Sequence, residues 1–265
     1  MMAKIFAALL ILLGCFISPL YAQVDFRNTD RGRPILIEDA YPAEYLAFEL
    51  QGGIKYEKKG NEDGLNFVPE FRFGAYKNLQ IGIETSYTSL SDGRTRSGGS
   101  NTILHALYNI NQEGLNIPAL SIRLDGGVPT GGLGTDHLHT SGAVLITKTL
   151  GYLRLHSNLS YTIGPEAQED KGRESSRYFY GLGIDYAWPL KFIMVIGDIV
   201  ARKPIDGEKS EVLLEIGTRM QIDPRWVLDA GVGTSALREG GSDFVATAGL
   251  TYIFGVRRVS LGSVK

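Results

Sequence analysis

The stretch Leu153-Arg154-Leu155-His156-Ser157-Asn158-Leu159-Ser160-Tyr161-Thr162-Ile163 puts Leu153, Leu155, Leu159, Tyr161 and Ile163 on one side of an extended chain. Arg154, His156, Asn158 and Ser160 fall on the other. Side chains of a strand point alternately to its two faces, so this is a strand with one apolar and one charged face. Outward from it, the pattern recurs at roughly twenty-residue intervals, giving about twelve strands. Upstream, Phe48, Leu50, Ile54 and Tyr56 oppose Glu49, Gln51 and Lys55, and Leu65, Phe67, Phe71 and Phe73 oppose Asn66, Glu70 and Arg72. Ile81 and Ile83 oppose Gln80 and Glu84, Leu104 and Tyr108 oppose His105 and Asn109, and Ile122 and Leu124 oppose Arg123 and Asp125. Downstream, Leu182 and Ile184 oppose Asp185, Leu214 and Ile216 oppose Glu215 and Arg219, Leu228 and Ala230 oppose Asp229, and Leu250 and Tyr252 oppose Thr251. Two segments, near residues 140–149 and 191–201, carry apolar residues at both parities, so their faces stay unassigned.

A half-buried soluble sheet shows the same period. Three further features separate the cases. The connections alternate in class: 76–78, 111–116, 150–151, 189–190 and 223–225 are short, whereas 58–64, 91–99, 129–138, 164–176, 202–209 and 237–242 are mostly longer, polar and rich in Gly. A barrel threaded through a membrane sorts its connections this way. Aromatics gather at both strand ends: Tyr76, Tyr108, Tyr152, Trp188 and Trp226 beside the short turns, and Tyr56, Tyr87, Tyr161, Tyr178 and Phe244 toward the long connections. Two such belts match the two interfaces of a bilayer. Finally, charges of both signs sit in mid-strand on the polar face, as they do where that face encloses a lumen. The fold expected is all-β: a transmembrane antiparallel up-and-down β-barrel of about twelve strands, with short turns and both termini on the periplasmic side.

The N-terminus reads as a signal peptide over residues 1–22. Lys4 is its charged region, Ile5 to Leu20 its apolar run, and Tyr21-Ala22-Gln23 its cleavage site. This places the chain in the outer membrane after export. Residues 23–44 lack periodicity, 45–255 form the barrel and 256–265 a tail. Segment 23–44 is either a mobile periplasmic tail or a lumen hatch, in which Glu38 and Asp39 meet lumen arginines. The single cysteine, Cys15, lies in the leader, so the cleaved chain has no disulfide or thiol chemistry. A formal charge of −2 gives no basic surplus for nucleic acid.

Several stretches resemble the family of outer-membrane transporters named for the MetA pathway of phenol degradation. RPILIEDA (Arg33 to Ala40) is similar to that family's entry into its first strand. PALSIRLDGGVPTG (Pro118 to Gly131) and LGYLRLHSNLSYTIG (Leu150 to Gly164) are similar to internal strands. VLDAGVGTSAL (Val227 to Leu237) and DFVATAGLTYIF (Asp243 to Phe254) are similar to its closing hairpin. The resemblance implies a passive transporter of small, hydrophobic or aromatic solutes. The aromatic last strand also resembles the signal read by the barrel-assembly machinery, which with outer-membrane lipid and the solute makes up the expected partners.

The inward set comprises Glu49, Glu70, Arg72, Glu84, Arg123, Asp125, Arg154, His156, Asp185, Glu215, Arg219 and Asp229. Both signs are present, which favours a cross-strand ladder of ion pairs over a one-sign selectivity ring. His137-Leu138-His139 lacks the further ligands of a zinc site and reads as a loop pair, so no metal or cofactor is expected. His139 and Ser141 share a strand face, the spacing of a base and nucleophile, with Asn158 as third group. That leaves a lipid-hydrolysing barrel enzyme as one alternative. A binding or structural barrel acting through its extracellular loops is the other.

Overall fold

The computed structural model describes residues 26–134, 137–164, 176–186, 192–205, 210–237 and 241–255. The leader and the C-terminal tail lie outside them. Twelve strands follow one another in sequence: β1 Ala47–Lys59, β2 Glu62–Tyr76, β3 Leu79–Ser91, β4 Thr95–Asn111, β5 Ala119–Val128, β6 His139–Leu150, β7 Leu153–Ile163, β8 Arg177–Tyr186, β9 Ile193–Pro204, β10 Glu211–Asp223, β11 Trp226–Ser235 and β12 Phe244–Gly255. Each pairs antiparallel with its sequence neighbours, and β1 pairs with β12 from Ala47↔Gly255 to Lys58↔Phe244. The sheet is therefore a closed up-and-down barrel with no free edge.

Alternation decides which side chains are enclosed. On β7, Arg154, His156 and Asn158 are buried, while Leu155 and Leu159 are 42% and 49% exposed. Around the barrel Ile54, Phe67, Ile83, Leu104, Leu124, Leu182, Ile216 and Leu228 likewise face out. An apolar surface this continuous suits a lipid surround and not water.

The two strands of unassigned parity resolve. On β6, His139, Ser141, Ala143, Leu145 and Thr147 point in, and on β9, Met194, Ile196, Asp198 and Val200 do. Their inner faces are apolar because they have something apolar to pack on. Phe26, Ile35, Leu36 and Ile37 form a core with Met194, Ile196, Val200, Leu213, Val227, Val245 and Ile253. The run Ile35-Leu36-Ile37 thus lies inside the barrel.

Two connections expected to be long are in fact tight. Between Lys59 and Glu62 only two residues intervene, and β4 begins at Thr95, so much of 58–64 and 91–99 is strand. Their Gly and charged residues are those of hairpins that extend past the apolar belt. The loop at 129–138 and the segment at 164–176 do separate strands. The turn over 111–116 runs instead from 112 to 118, and the turn expected at 189–190, with Trp188, lies outside the described residues.

Residues 26–46 make a hairpin within the lumen. Its two limbs are tied by Thr29 N–H to Asp39 Oδ2 (3.0 Å) and Asp39 N–H to the Thr29 carbonyl (3.4 Å). The apex turns at Gly32, whose φ of +91° suits glycine. The second limb passes into β1 at Leu46, an unusual left-handed leucine (φ 65°) held by its N–H to the Gly74 carbonyl at 2.8 Å. Inward glycines make room for the hairpin: a Cβ on Gly217 would lie 2.7 Å from Pro34 Cβ, and one on Gly183 2.9 Å from Ile37 Cγ2.

Gly217→Val should therefore overpack the lumen and cost about 1–3 kcal/mol. The outward Gly197→Val, whose Cβ would come no nearer than 3.3 Å to the Glu215 carbonyl, should cost less. Thermal unfolding midpoints in detergent, read by gel mobility, would rank the two; equal midpoints would contradict this packing.

Candidate functional site

The lumen is where the charged side chains converge, and the hairpin is their main partner. A chain segment with no strand beside it must find other acceptors for its amides. The wall supplies them. Leu36 N–H reaches Asp198 Oδ2 at 3.1 Å and Glu215 Oε2 at 2.9 Å, and Ile37 N–H reaches Asp198 Oδ2 at 3.0 Å. Glu38 N–H donates to Asn158 Oδ1 (2.9 Å), and Asn158 Nδ2 donates back to the Glu38 carbonyl (2.8 Å). Ala40 N–H donates to Thr147 Oγ1 (3.0 Å), and Ala43 N–H to Gln80 Oε1 (2.8 Å). Asn109 Nδ2 and Ser121 Oγ both donate to the Ala40 carbonyl, and Thr247 Oγ1 donates to that of Pro34.

Ion pairs add to this hold. Glu38 Oε1 lies 2.6 Å from Arg123 Nη1, and Asp39 Oδ2 lies 3.8 Å from Arg154 Nη1. Asp30 pairs with Arg72 and, at 2.7 Å, with Arg219. The hairpin's own arginines pair the other way, Arg31 with Asp125 at 2.9 Å and Arg33 with Asp229 at 3.3 Å. Wall-to-wall contacts complete the set. Arg72 Nη2 donates to Glu70 Oε2 (2.9 Å), His105 Nε2 lies 2.8 Å from Glu70 Oε1, and Arg123 Nε donates to Asp125 Oδ1 (2.8 Å). Arg154 Nε donates to Asp185 Oδ2 at 2.9 Å, across a register pair of β7 and β8. Gln51 Nε2 donates to Glu49 Oε2 at 3.1 Å.

Of the twelve wall residues named from the sequence, Glu49 and Glu84 are half-buried and the other ten buried, and a cross-strand ladder describes only part of their pairing. Many meet the hairpin instead. His156 joins both systems: Thr147 Oγ1, having accepted from Ala40, faces His156 Nδ1 at 3.0 Å, and His156 Nε2 faces Asp185 Oδ2 at 2.7 Å. The consistent tautomer carries its proton on Nε2.

Sequence reasoning put Gln80 and Asn109 on polar strand faces without naming them as site residues, and did not single out Arg33, Asp30, Asp198, Ser121, Thr147 or Thr247 for the site. The wall residues among them sit at inward parity on their strands, which is the signal that would have found them. Asp198 was hidden on the strand whose faces were unassigned.

Beyond the apex, toward the long connections, a cavity of about 370 Å³ remains. Arg31, Leu36 and Glu38 of the hairpin floor it, and Arg123, Asp125 and Phe179 are among its walls. His139 and Ser141 border it too, but the Ser141 hydroxyl donates to Asp125 Oδ2 at 2.9 Å. Its proton is directed to a carboxylate and not to a histidine base. Among the described residues, no group of three or more His, Cys, Asp or Glu could hold a metal ion.

At the short-turn end, Glu113 clasps the hairpin to the rim. Its carboxylate accepts from Thr149 N–H (2.7 Å), Lys148 Nζ (3.0 Å) and Tyr41 Oη (3.1 Å). Partial desolvation pushes the Glu113 carboxyl up, but these donors prevail and hold it down at about 2. A depressed carboxyl stabilises the fold above its ordinary value of 4.5, and that contribution is lost as pH falls toward 2.

No protein-family model matches the chain, and no curated protein does. Solved structures do. The COG4313 outer membrane channel from Pseudomonas putida F1 aligns with a TM-score of 0.69 at 11% identity, over 86% of this chain and 100% of that one. The KdgM porin in complex with disordered oligogalacturonate aligns at 0.54 and 11%, over 78% and 98%. The NanC porin aligns at 0.52 and 9%, over 77% and 98%. At these identities the likeness is one of fold: a closed antiparallel barrel of the outer-membrane kind.

Arg123 is the buried centre of the acid network, at 1% exposure. Arg123→Met should strand Glu38, while Asp125 keeps Arg31 and Ser141, and cost about 3–5 kcal/mol, as breaking a buried pair does. Adding Glu38→Gln should recover part of that loss. Denaturant unfolding of wild type, both single variants and the double variant would measure the coupling; purely additive costs would count against the pairing.

Proposed function

We propose that this chain is an outer-membrane channel through which small molecules pass passively, closed at rest by its own N-terminal hairpin. The observation that carries the proposal is the inside-out distribution of polarity: an apolar belt outside, charges enclosed, and a lumen filled by residues 26–46. A closed barrel satisfies every strand amide within the sheet, which is the requirement for crossing a bilayer without helices. The exported chain sits in the outer membrane, with lipid against the belt and the barrel-assembly machinery as its partner during insertion. Its short turns, the start of β1 and the end of β12 then face the periplasm.

The hairpin acts as a hatch. Its ties to the wall are hydrogen bonds and ion pairs, with no covalent link beyond the junction at Leu46, so it can leave and return. Solute enters from the long-loop side into the cavity above Arg31 and Leu36 and crosses when the hairpin moves. Membership of the MetA-pathway family of phenol degradation is supported by the similarity of RPILIEDA, which is the hairpin's own second limb, Arg33 to Ala40. On that resemblance the solutes are small and hydrophobic or aromatic. The commitment of the Ser141 proton to Asp125 favours transport over lipid hydrolysis.

Deleting residues 26–40 should raise single-channel conductance in planar bilayers several-fold and speed liposome swelling in small neutral solutes. An inserted, heat-modifiable deletion variant that conducts no better than the full chain would refute the hatch.

A further inference from the structure

Asp198 on β9 and Glu215 on β10 are register partners, both buried, and unlike the other wall acids that bind the hairpin. Asp125 and Asp229 each meet an arginine of the hairpin. Asp198 and Glu215 meet only its backbone, and both accept from the same donor, Leu36 N–H, at 3.1 Å and 2.9 Å. Asp198 Oδ2 also accepts from Ile37 N–H at 3.0 Å. Sharing that donor brings the two carboxyl groups side by side, near enough for one to hydrogen-bond the other. Such a bond requires a proton on one of them, because two carboxylates offer only acceptors.

The surroundings supply no cation in contact with the pair among the described residues. The flanking register partners are glycines, Gly183 opposite Asp198 and Gly233 opposite Glu215. Lys55 of β1 and Arg202 of β9 act on Glu215 from a distance, and each is engaged by another carboxylate, Glu57 at 3.2 Å and Glu211 at 3.0 Å. The hairpin offers the amides of Leu36 and Ile37 and the apolar side chains around them. Among the described residues, Asp198 Oδ1 has no hydrogen-bond partner. Two like charges in such a place repel strongly, and one shared proton removes the repulsion.

We propose that Asp198 and Glu215 are a proton-binding site, a carboxyl–carboxylate pair that holds the hairpin at Leu36 and Ile37 while it keeps one proton and loosens its grip when that proton leaves. The inference rests on the reading of the hairpin as a movable hatch. It adds a regulator to it: acid keeps the lumen shut, and alkali favours opening. One proton can shift the equilibrium by at most about tenfold per pH unit.

Asp198→Asn mimics the protonated pair at every pH. Its amide oxygen can still accept from the hairpin, and its NH₂ can donate to Glu215. The full chain in planar bilayers should open more often as pH rises from acid to alkaline buffer, and the Asp198→Asn chain should show a flat response. Hydrogen exchange of the amides at residues 35–38, corrected for the intrinsic pH dependence, reads the same catch without any need for conductance. It should accelerate with pH in the wild type and not in Asp198→Asn or Glu215→Gln, the second variant serving if the first misfolds. A pH-independent corrected exchange in the wild type, or an unchanged pH response in a folded amide variant, would overturn the catch. Failure of the deletion variant to conduct would overturn the channel and leave the exchange result standing.

Discussion

A peptide group sealed inside a barrel cannot turn to bulk water, and this constraint shapes the whole interior. The strands satisfy their amides with one another. The hairpin has no strand along its length, so the amides it does not satisfy within itself, those of Leu36, Ile37, Glu38, Ala40 and Ala43, take side chains from the wall. This is why inward positions carry Asn, Gln, Thr and Ser beside the ions. Asn158 both accepts from Glu38 N–H and donates to its carbonyl, the pairing that a neighbouring strand would otherwise provide. An unmet amide in such a place costs about 1–3 kcal/mol, so substitutions along this path are felt well beyond their loss of contact.

The ion pairs have a second character. The hairpin carries both signs, Asp30, Glu38 and Asp39 against Arg31 and Arg33, and the wall answers each with its opposite. Desolvation offsets much of what buried pairs gain, so they add less to net stability than their number suggests. What they supply is register. A hairpin shifted by one residue would set like charges together, whereas the apolar contacts of Ile35 and Ile37 tolerate small slides.

The barrel could be read in the sequence because a period of two survives wherever one face meets lipid and the other does not. It failed on β6 and β9, where Leu145, Met194, Ile196 and Val200 are apolar and inward. Their chemistry is explained only by the hairpin they touch, which lies more than a hundred residues away in the chain. The tips at 58–64 and 91–99 were misjudged for a related reason: strand beyond the belt faces water on both sides and has the composition of a loop. For the site, residue type and parity pointed to the lumen charges. Which acid meets which arginine depends on inter-strand register and on the path of residues 26–46, and neither leaves a local trace.

The hairpin leads into β1, and β1 meets β12 at the join between the two ends of the sheet. Phe26 opens the first limb, buried against the wall, the chain bends at Gly32, and the second limb ends at Leu46. The stopper is thus an extension of the strand that closes the cylinder, so that plug and seam are one piece of chain.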